Sequence, residues 1–280
     1  MQITVLGSGS IIPVPERHPS GYLLSTQTSR VIFDLGPGNL RRLAQAGVGP
    51  QDIDHIFLSH YHLDHIGDIQ HLLFGLRVPG YHRERPLFLY GPPGLHDLYK
   101  GMQQLWGKWV QAEHFALQLF EFSPGTEINI DTLTITPFKA AHGGDSTAAV
   151  SYRVRDEQTG AVFAYSGDTD YSEEIIACCD QADLAILECS TPDSHKSKGH
   201  LSPSWCGKIA KEAGIKQTAL THFYPECFQP SADQQGDDIP EGLTPTDSII
   251  WRFEQQAKRR PLLCRDLQSF TIHPSKDTTS

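Results

Sequence analysis

Residues 59–68 read Ser59-His60-Tyr61-His62-Leu63-Asp64-His65-Ile66-Gly67-Asp68, placing His60, His62, Asp64 and His65 within six residues. They follow an apolar run that reads as a strand over Ile56–Ser59. Residues two apart on an extended strand end point the same way, so His60 and His62 share one direction. Asp64 and His65 fall where the chain turns into a helix, whose Ile66, Ile69, Leu72, Leu73 and Leu76 form one apolar face before Val78-Pro79-Gly80 stops it. Imidazole and carboxylate are the donors that borderline divalent ions such as Zn²⁺ prefer. One loop facing two neighbouring points can serve two ions about 3.5–4 Å apart, the spacing suited to in-line displacement. Burying the same groups without a cation would strand them at about 1–3 kcal/mol each.

Outward from this loop the chain alternates strands and helices. Strands are predicted at Ile3–Leu6, Tyr22–Ser25, Val31–Asp34 and Leu87–Tyr90, with glycine or proline turns between most of them. Later strands are predicted at Phe115–Phe122, Leu133–Phe138, Ala148–Arg155, Ala161–Tyr165, Leu184–Leu187 and Thr218–Leu220. Gln158-Thr159-Gly160 makes a short turn between two of these. Ser202-Pro203 starts a helix by a serine cap with proline in the first turn; Trp205, Ile209, Ala210 and Ala213 mark its buried side and Gly214 ends it. Thr244-Pro245 starts a last helix in the same way. Strands and helices in both halves imply an α/β sandwich of two mixed sheets with helices outside, over a single domain of residues 1–280.

Composition removes several function classes. Lys and Arg number 23 against 33 Asp and Glu, a formal net charge of -10, which repels phosphodiester backbones unless a local basic patch compensates. No apolar run approaches a membrane span, and the opening MQITVLGSGS reads as a strand and turn rather than a signal peptide. Cys178, Cys179, Cys189, Cys206, Cys227 and Cys264 form no CxxC pair and read as buried thiols of a cytoplasmic protein. Gly7-Ser8-Gly9-Ser10 lacks the third glycine of a dinucleotide fingerprint, and that reading would leave the histidines without a role.

The HxHxDH pattern resembles that of metallo-β-lactamase-fold hydrolases, and within them the ribonuclease Z and phosphodiesterase branch. The resemblance extends over about residues 1–225, through 33–38 (FDLGPG), 89–94 (LYGPPG), Ala141-His142, Ser166-Gly167-Asp168-Thr169, Leu187-Glu188-Cys189-Ser190, Gly199-His200-Leu201-Ser202 and Leu220-Thr221-His222-Phe223. It implies a four-layer αββα sandwich and a dinuclear centre. His60, His62 and His142 would hold one ion, Asp64, His65 and His222 the other, and Asp168 would bridge both. A water or hydroxide between the ions would be the nucleophile. Zn²⁺ suits such a set, and Mn²⁺ or Fe also accepts it. Asp34 would hold the histidine loop through hydrogen bonds. His200, oriented by Glu188, would contact the scissile phosphate or protonate the leaving oxygen, since an alkoxide leaves poorly unprotonated. Asp64, His200 and Glu188 form the expected catalytic set.

Ribonuclease Z proteins that process transfer RNA carry a long protruding arm, which by resemblance lies between Ser151 and Asp168. Here that interval holds only strand, turn and strand. With the negative charge, this points to a small phosphodiester, a cyclic nucleotide or another compact ester, rather than a large nucleic acid. A lactone or thioester hydrolase of the same fold, a transfer-RNA 3′-endonuclease with an arm lent by a partner, and a non-enzymatic metal-binding protein are the alternatives. A homodimer is common among similar proteins. Arg77, His82, Arg83 and Arg85 can attract an anion, with solvated charge as the default reading; residues 223–243 have the length of a lid; Trp106, Trp109, Phe223 and Tyr224 can stack on a base, with core packing the default for the tryptophans.

Overall fold

The computed structural model describes residues 1–81, 83–144, 148–229, 240 and 242–274. His82 lies outside them, as do residues 230–239 and 241 of the expected lid. The described chain forms two compact units, residues 1–126 with 265–271, and residues 127–264 with the C-terminal remainder.

The first unit is built on β1 (Gln2–Gly7), β2 (Gly21–Ser25), β3 (Arg30–Leu35), α1 (Asn39–Gln45), β4 (His55–Phe57), α2 (Leu63–Ile66), α3 (Ile69–Gly75), β5 (Leu87–Gly91), α4 (Leu95–Trp106) and β6 (Leu117–Glu121). Its seven-stranded sheet has Ser269–Thr271 at one edge, followed by β1 to β6 in chain order. Pairing is antiparallel as far as β3 and parallel from β3 to β6. Val31, Ile32 and Phe33 are consecutive and all buried, so both faces of β3 are covered. Leu40 and Leu43 of α1, Ile69, Leu72 and Leu73 of α3, and Leu95 and Met102 of α4 share one core with Ile32, Ile56 and Leu89 of the sheet.

The single helix expected after His65 is two pieces, α2 and α3, broken at Gly67-Asp68. A Cβ at Gly67 would lie 2.5 Å from the Pro37 ring, and the Asp68 carboxylate turns away to accept the Leu40 N–H at 2.9 Å. Asp68 thus serves the start of α1, a helix the apolar pattern did not reveal.

The second unit contains β7 (Ile128–Ile130), β8 (Leu133–Lys139), β9 (Val150–Asp156), β10 (Val162–Tyr165), α5 (Glu173–Cys178), β11 (Leu184–Glu188), α6 (Pro203–Glu212), β12 (Gln217–Thr221), α7 (Pro245–Ala257) and β13 (Leu262–Leu263). These strands form a seven-stranded sheet in chain order, antiparallel from β7 to β10 and parallel from β10 to β13. Ile175, Cys206, Ile209, Ile249 and Phe253 of its helices pack on Ala164, Leu187 and Leu220 of the sheet. Two mixed sheets with helices make the α/β class expected. The interval between Ser151 and Asp168 is the β9–β10 hairpin, with no arm.

The α6 cap differs in detail. Ser202 makes no side-chain cap bond. Its hydroxyl donates to Asp193 Oδ1 at 2.5 Å, and that oxygen accepts the Ser204 N–H at 3.1 Å. A carboxylate from outside the helix therefore does the work expected of the serine. Thr244 caps α7 as its sequence predicts, accepting the Asp247 N–H. The tryptophans depart from core packing: Trp106 and Trp109 are 43% and 51% exposed and line, with Gln70, His71, Phe74 and Val110, a surface cleft of about 370 Å³.

Candidate metal centre

In each unit the candidate residues gather where parallel strands end, the place where α/β sheets offer side chains to a ligand. In the first unit, β3 ends on Asp34 and β4 runs into Ser59 and His60. Asp34 is fully buried and left-handed, with φ 56°. This conformation is costly for most side chains but open to aspartate. The turn aims its carboxylate at the histidine loop, where it accepts the Ser59 N–H and hydroxyl, both at 2.7 Å, and the His65 Nδ1–H at 2.7 Å. The Ser59 hydroxyl proton goes to Asp34, so its oxygen accepts from His60 Nδ1 at 3.0 Å. The rings of His62 and His65 lie 4.5 and 4.2 Å from that of His60. His65 Nε2 is 3.9 Å from Asp64 Oδ2. Gly36 is required here, because a Cβ would sit 2.1 Å from the Asp64 carbonyl oxygen. Tyr61 is anchored by donating to the Pro92 carbonyl; burial, helped by Glu121, pushes its phenol pKa up.

The second unit brings together Asp168 after β10, Glu188 at the end of β11, His222 after β12, and His142 and His200 on loops. His222 also adopts the left-handed region, with φ 57°. Its Nε2 lies 3.3 Å from Asp168 Oδ1, and His142 Nε2 lies 3.9 Å from Asp168 Oδ2. His142 Nδ1 donates to the Gly199 carbonyl at 2.8 Å. His200 Nδ1 is 3.0 Å from Glu188 Oε1, which also accepts the Thr169 N–H at 2.9 Å. Ligand atoms of Asp168, His200 and His222 lie within 4.8 Å of one another.

These contacts test whether the donors suit a cation. A carbonyl and a carboxylate already receiving two donors can only accept, so His142 and His65 carry hydrogen on Nδ1, and each neutral ring then has its lone pair on Nε2. That Nε2 lies 3.9 Å from a carboxylate oxygen in both cases, beyond direct hydrogen-bond distance. Two donors about 2.0–2.1 Å from one zinc ion are themselves roughly 3–4 Å apart. The spacing, the donor types and the anchored Nδ1 atoms all fit metal ions.

The sequence-predicted residues thus fall in two groups: Asp34, His60, His62, Asp64 and His65 in one unit, and His142, Asp168, Glu188, His200 and His222 in the other. Sequence reasoning missed Ser59, Ser190 and the Gly199 carbonyl as partners of ligand-type rings. A backbone acceptor leaves no sequence signal, and the serines stood beside recognised residues without a role. Arg83, considered as an attractor of anions, is buried and donates to the Ile53, Arg85 and Pro86 carbonyls and to Asp54. Phe223 is buried against Phe228, whereas the Tyr224 ring lies 6.3 Å from that of His200.

The β-lactamase superfamily domain matches residues 29–223. The Ribonuclease Z of Methanothermobacter thermautotrophicus is 27% identical over 270 residues, covering 80% of this chain and 86% of that protein. The probable metallo-hydrolase YhfI of Bacillus subtilis is 31% identical over 228 residues, covering 80% of this chain and 87% of its own. The crystal structure of YhfI, a metallo-β-lactamase fold protein, matches with a TM-score of 0.76 at 24% identity, over 96% of this chain and 98% of that one. The chain therefore belongs to the β-lactamase superfamily, with the metallo-β-lactamase fold and histidine and aspartate clusters that could bind metal ions.

Proposed function

We propose that the chain is a dinuclear metal-dependent phosphodiesterase acting on a small phosphodiester, with residues 1–280 working as one hydrolase domain. His60, His62 and His142 would hold one divalent ion and Asp64, His65 and His222 the other, with Asp168 shared. Zinc suits the imidazole-rich set, and manganese or iron accepts it. When bound, the ions supply an activated water and positive charge against the transition state. The observation that carries this reading is the pair of imidazoles anchored at Nδ1, His65 and His142, whose Nε2 atoms each lie 3.9 Å from a carboxylate oxygen.

The chain's own groups do the rest. Glu188 orients His200 through Nδ1, and the His200 ring delivers the proton to the leaving oxygen from Nε2. A leaving alkoxide needs that proton and a thiolate does not, which favours a phosphodiester over a thioester. Similarity to a protein named as a ribonuclease supports the same bond class, while the net charge of -10 and the short β9–β10 hairpin favour a small substrate over a large RNA. Six free, buried cysteines suit a reducing cytoplasm.

The test is metal content by elemental analysis, followed by turnover of bis(p-nitrophenyl) phosphate. Chelation should abolish turnover and Zn²⁺ or Mn²⁺ should restore it. His62→Ala should lower it by about 100-fold or more, the scale of losing a group that stabilises transition-state charge. Full activity in that variant defeats the assignment. Faster hydrolysis of carbonyl esters, indifferent to His200→Ala, would favour the lactone or thioester alternative.

A further inference from the structure

We propose that Ser190 is a positioning residue of this centre, its one hydroxyl proton setting the tautomer and orientation of His222 and tying that ring to the Glu188–His200 pair. The inference rests on reading His222 as a ligand and His200 as the proton donor. Ser190 follows β11 and is fully buried. Its Oγ lies 2.5 Å from Glu188 Oε2, 2.9 Å from His222 Nδ1 and 3.2 Å from His200 Nδ1.

A hydroxyl has one proton and two acceptor lone pairs, so three partners saturate it and leave few arrangements. The contact to Glu188 has the length of an O–H donated to a carboxylate. The proton is therefore spent on Glu188, and both imidazole contacts must be N–H donors. The neutral His222 ring then carries its hydrogen on Nδ1 and its lone pair on Nε2, the atom 3.3 Å from Asp168 Oδ1. His200 shares its Nδ1–H between Ser190 and Glu188. Ser190 itself is pinned: its N–H donates to the Leu201 carbonyl at 3.1 Å, and its carbonyl accepts the Tyr224 N–H at 3.2 Å and the Cys227 thiol at 3.1 Å. The first unit repeats the device in Asp34, Ser59 and His60, with the serine proton on the carboxylate and an imidazole Nδ1–H on the serine. Two carboxylate–serine–imidazole sets, each where a parallel strand ends, mark an arrangement built for ring placement rather than one hydrogen bond left over from packing.

The test compares the full chain with Ser190→Ala and Ser190→Thr in three measurements. Zinc alone is titrated against a chromogenic chelator; the His222 tautomer is read by ¹⁵N NMR in the metal-free protein; kcat and KM are taken with bis(p-nitrophenyl) phosphate. Alanine should weaken zinc binding by about 10–100-fold, mix the His222 tautomers, and lower kcat with little change in KM. Threonine, which keeps the hydroxyl, should restore all three. Zinc affinity and a single His222 tautomer unchanged in the alanine variant would overturn the proposal. So would equal losses in both variants with melting temperatures unchanged, which would assign the effect to packing. The zinc and NMR measurements need no turnover. A parent that binds zinc yet leaves phosphodiesters intact would end the phosphodiesterase reading alone.

Discussion

Asp34 shows at the scale of one residue how the site is made. Its left-handed backbone lets a strand end present a carboxylate sideways to the loop that follows the neighbouring strand. Three donors converge on it, one of them the ring of His65. Asp34→Asn tests the contribution of that acceptor without changing volume, and asparagine also tolerates a positive φ. The amide keeps one acceptor oxygen but adds two hydrogens where only donors now point, so the His65 ring must turn or lose its partner. Zinc affinity, measured by chelator competition, should fall by about 10–100-fold while the fold persists by circular dichroism. Unchanged affinity would show that the ring is held by packing alone. The ligand-type residues of the 59–68 loop were legible in the sequence because their chemistry is concentrated in six positions. Asp168 and His222 were legible only as members of an ordered series, and Ser190 was not, since a serine acquires its three partners only after β11 and β12 pair and the 199–200 loop returns.

Elements obeyed their local signals where one signal acted alone. Apolar runs gave β3, β5 and β11 nearly to the residue, and Thr244-Pro245 began α7 as expected. The readings that failed involved competition from a distant group. The Asp68 N–H leaves the helical ladder for the Leu35 carbonyl at 3.0 Å, which parts α2 from α3, and Ser202 yields the α6 cap to Asp193. The helix α5 did carry a signal that passed unread: Ser172 accepts the Ile175 N–H, with Glu173 and Glu174 in the first turn. Asp193 also accepts Arg252 Nη1 from α7 at 3.2 Å, so one carboxylate fastens the start of α6 to the side of α7. Asp193→Ala should therefore cost about 1–3 kcal/mol, leaving a helix N–H and a guanidinium without their acceptor. Ser202→Ala, which removes a donor from a carboxylate that keeps its other partners, should cost less. Thermal unfolding of the two variants decides it; equal losses would return the cap to the serine.

For the molecule as a whole, charge governs how a small anion arrives. The chain carries a net -10, and Arg77, Arg83 and Arg85 are each held by partners within the protein. Arg83 is buried on backbone carbonyls and Asp54, Arg77 pairs with Glu113 at 2.7 Å and donates to the Gln111 carbonyl, and Arg85 pairs with Asp54 at 3.1 Å. Lys196 is paired with Asp170 at 2.8 Å. On the proposed reading, attraction would come from bound metal ions at short range, while the net negative charge opposes approach. Raising ionic strength from about 0.01 to about 0.1 M shortens the Debye length from about 30 to about 10 Å. Over that range kcat/KM for an anionic diester should hold or rise, because screening removes more repulsion than attraction. A steep fall would instead reveal a basic approach path, and Arg85 and Lys198, both exposed, would be the first side chains to neutralise in locating it.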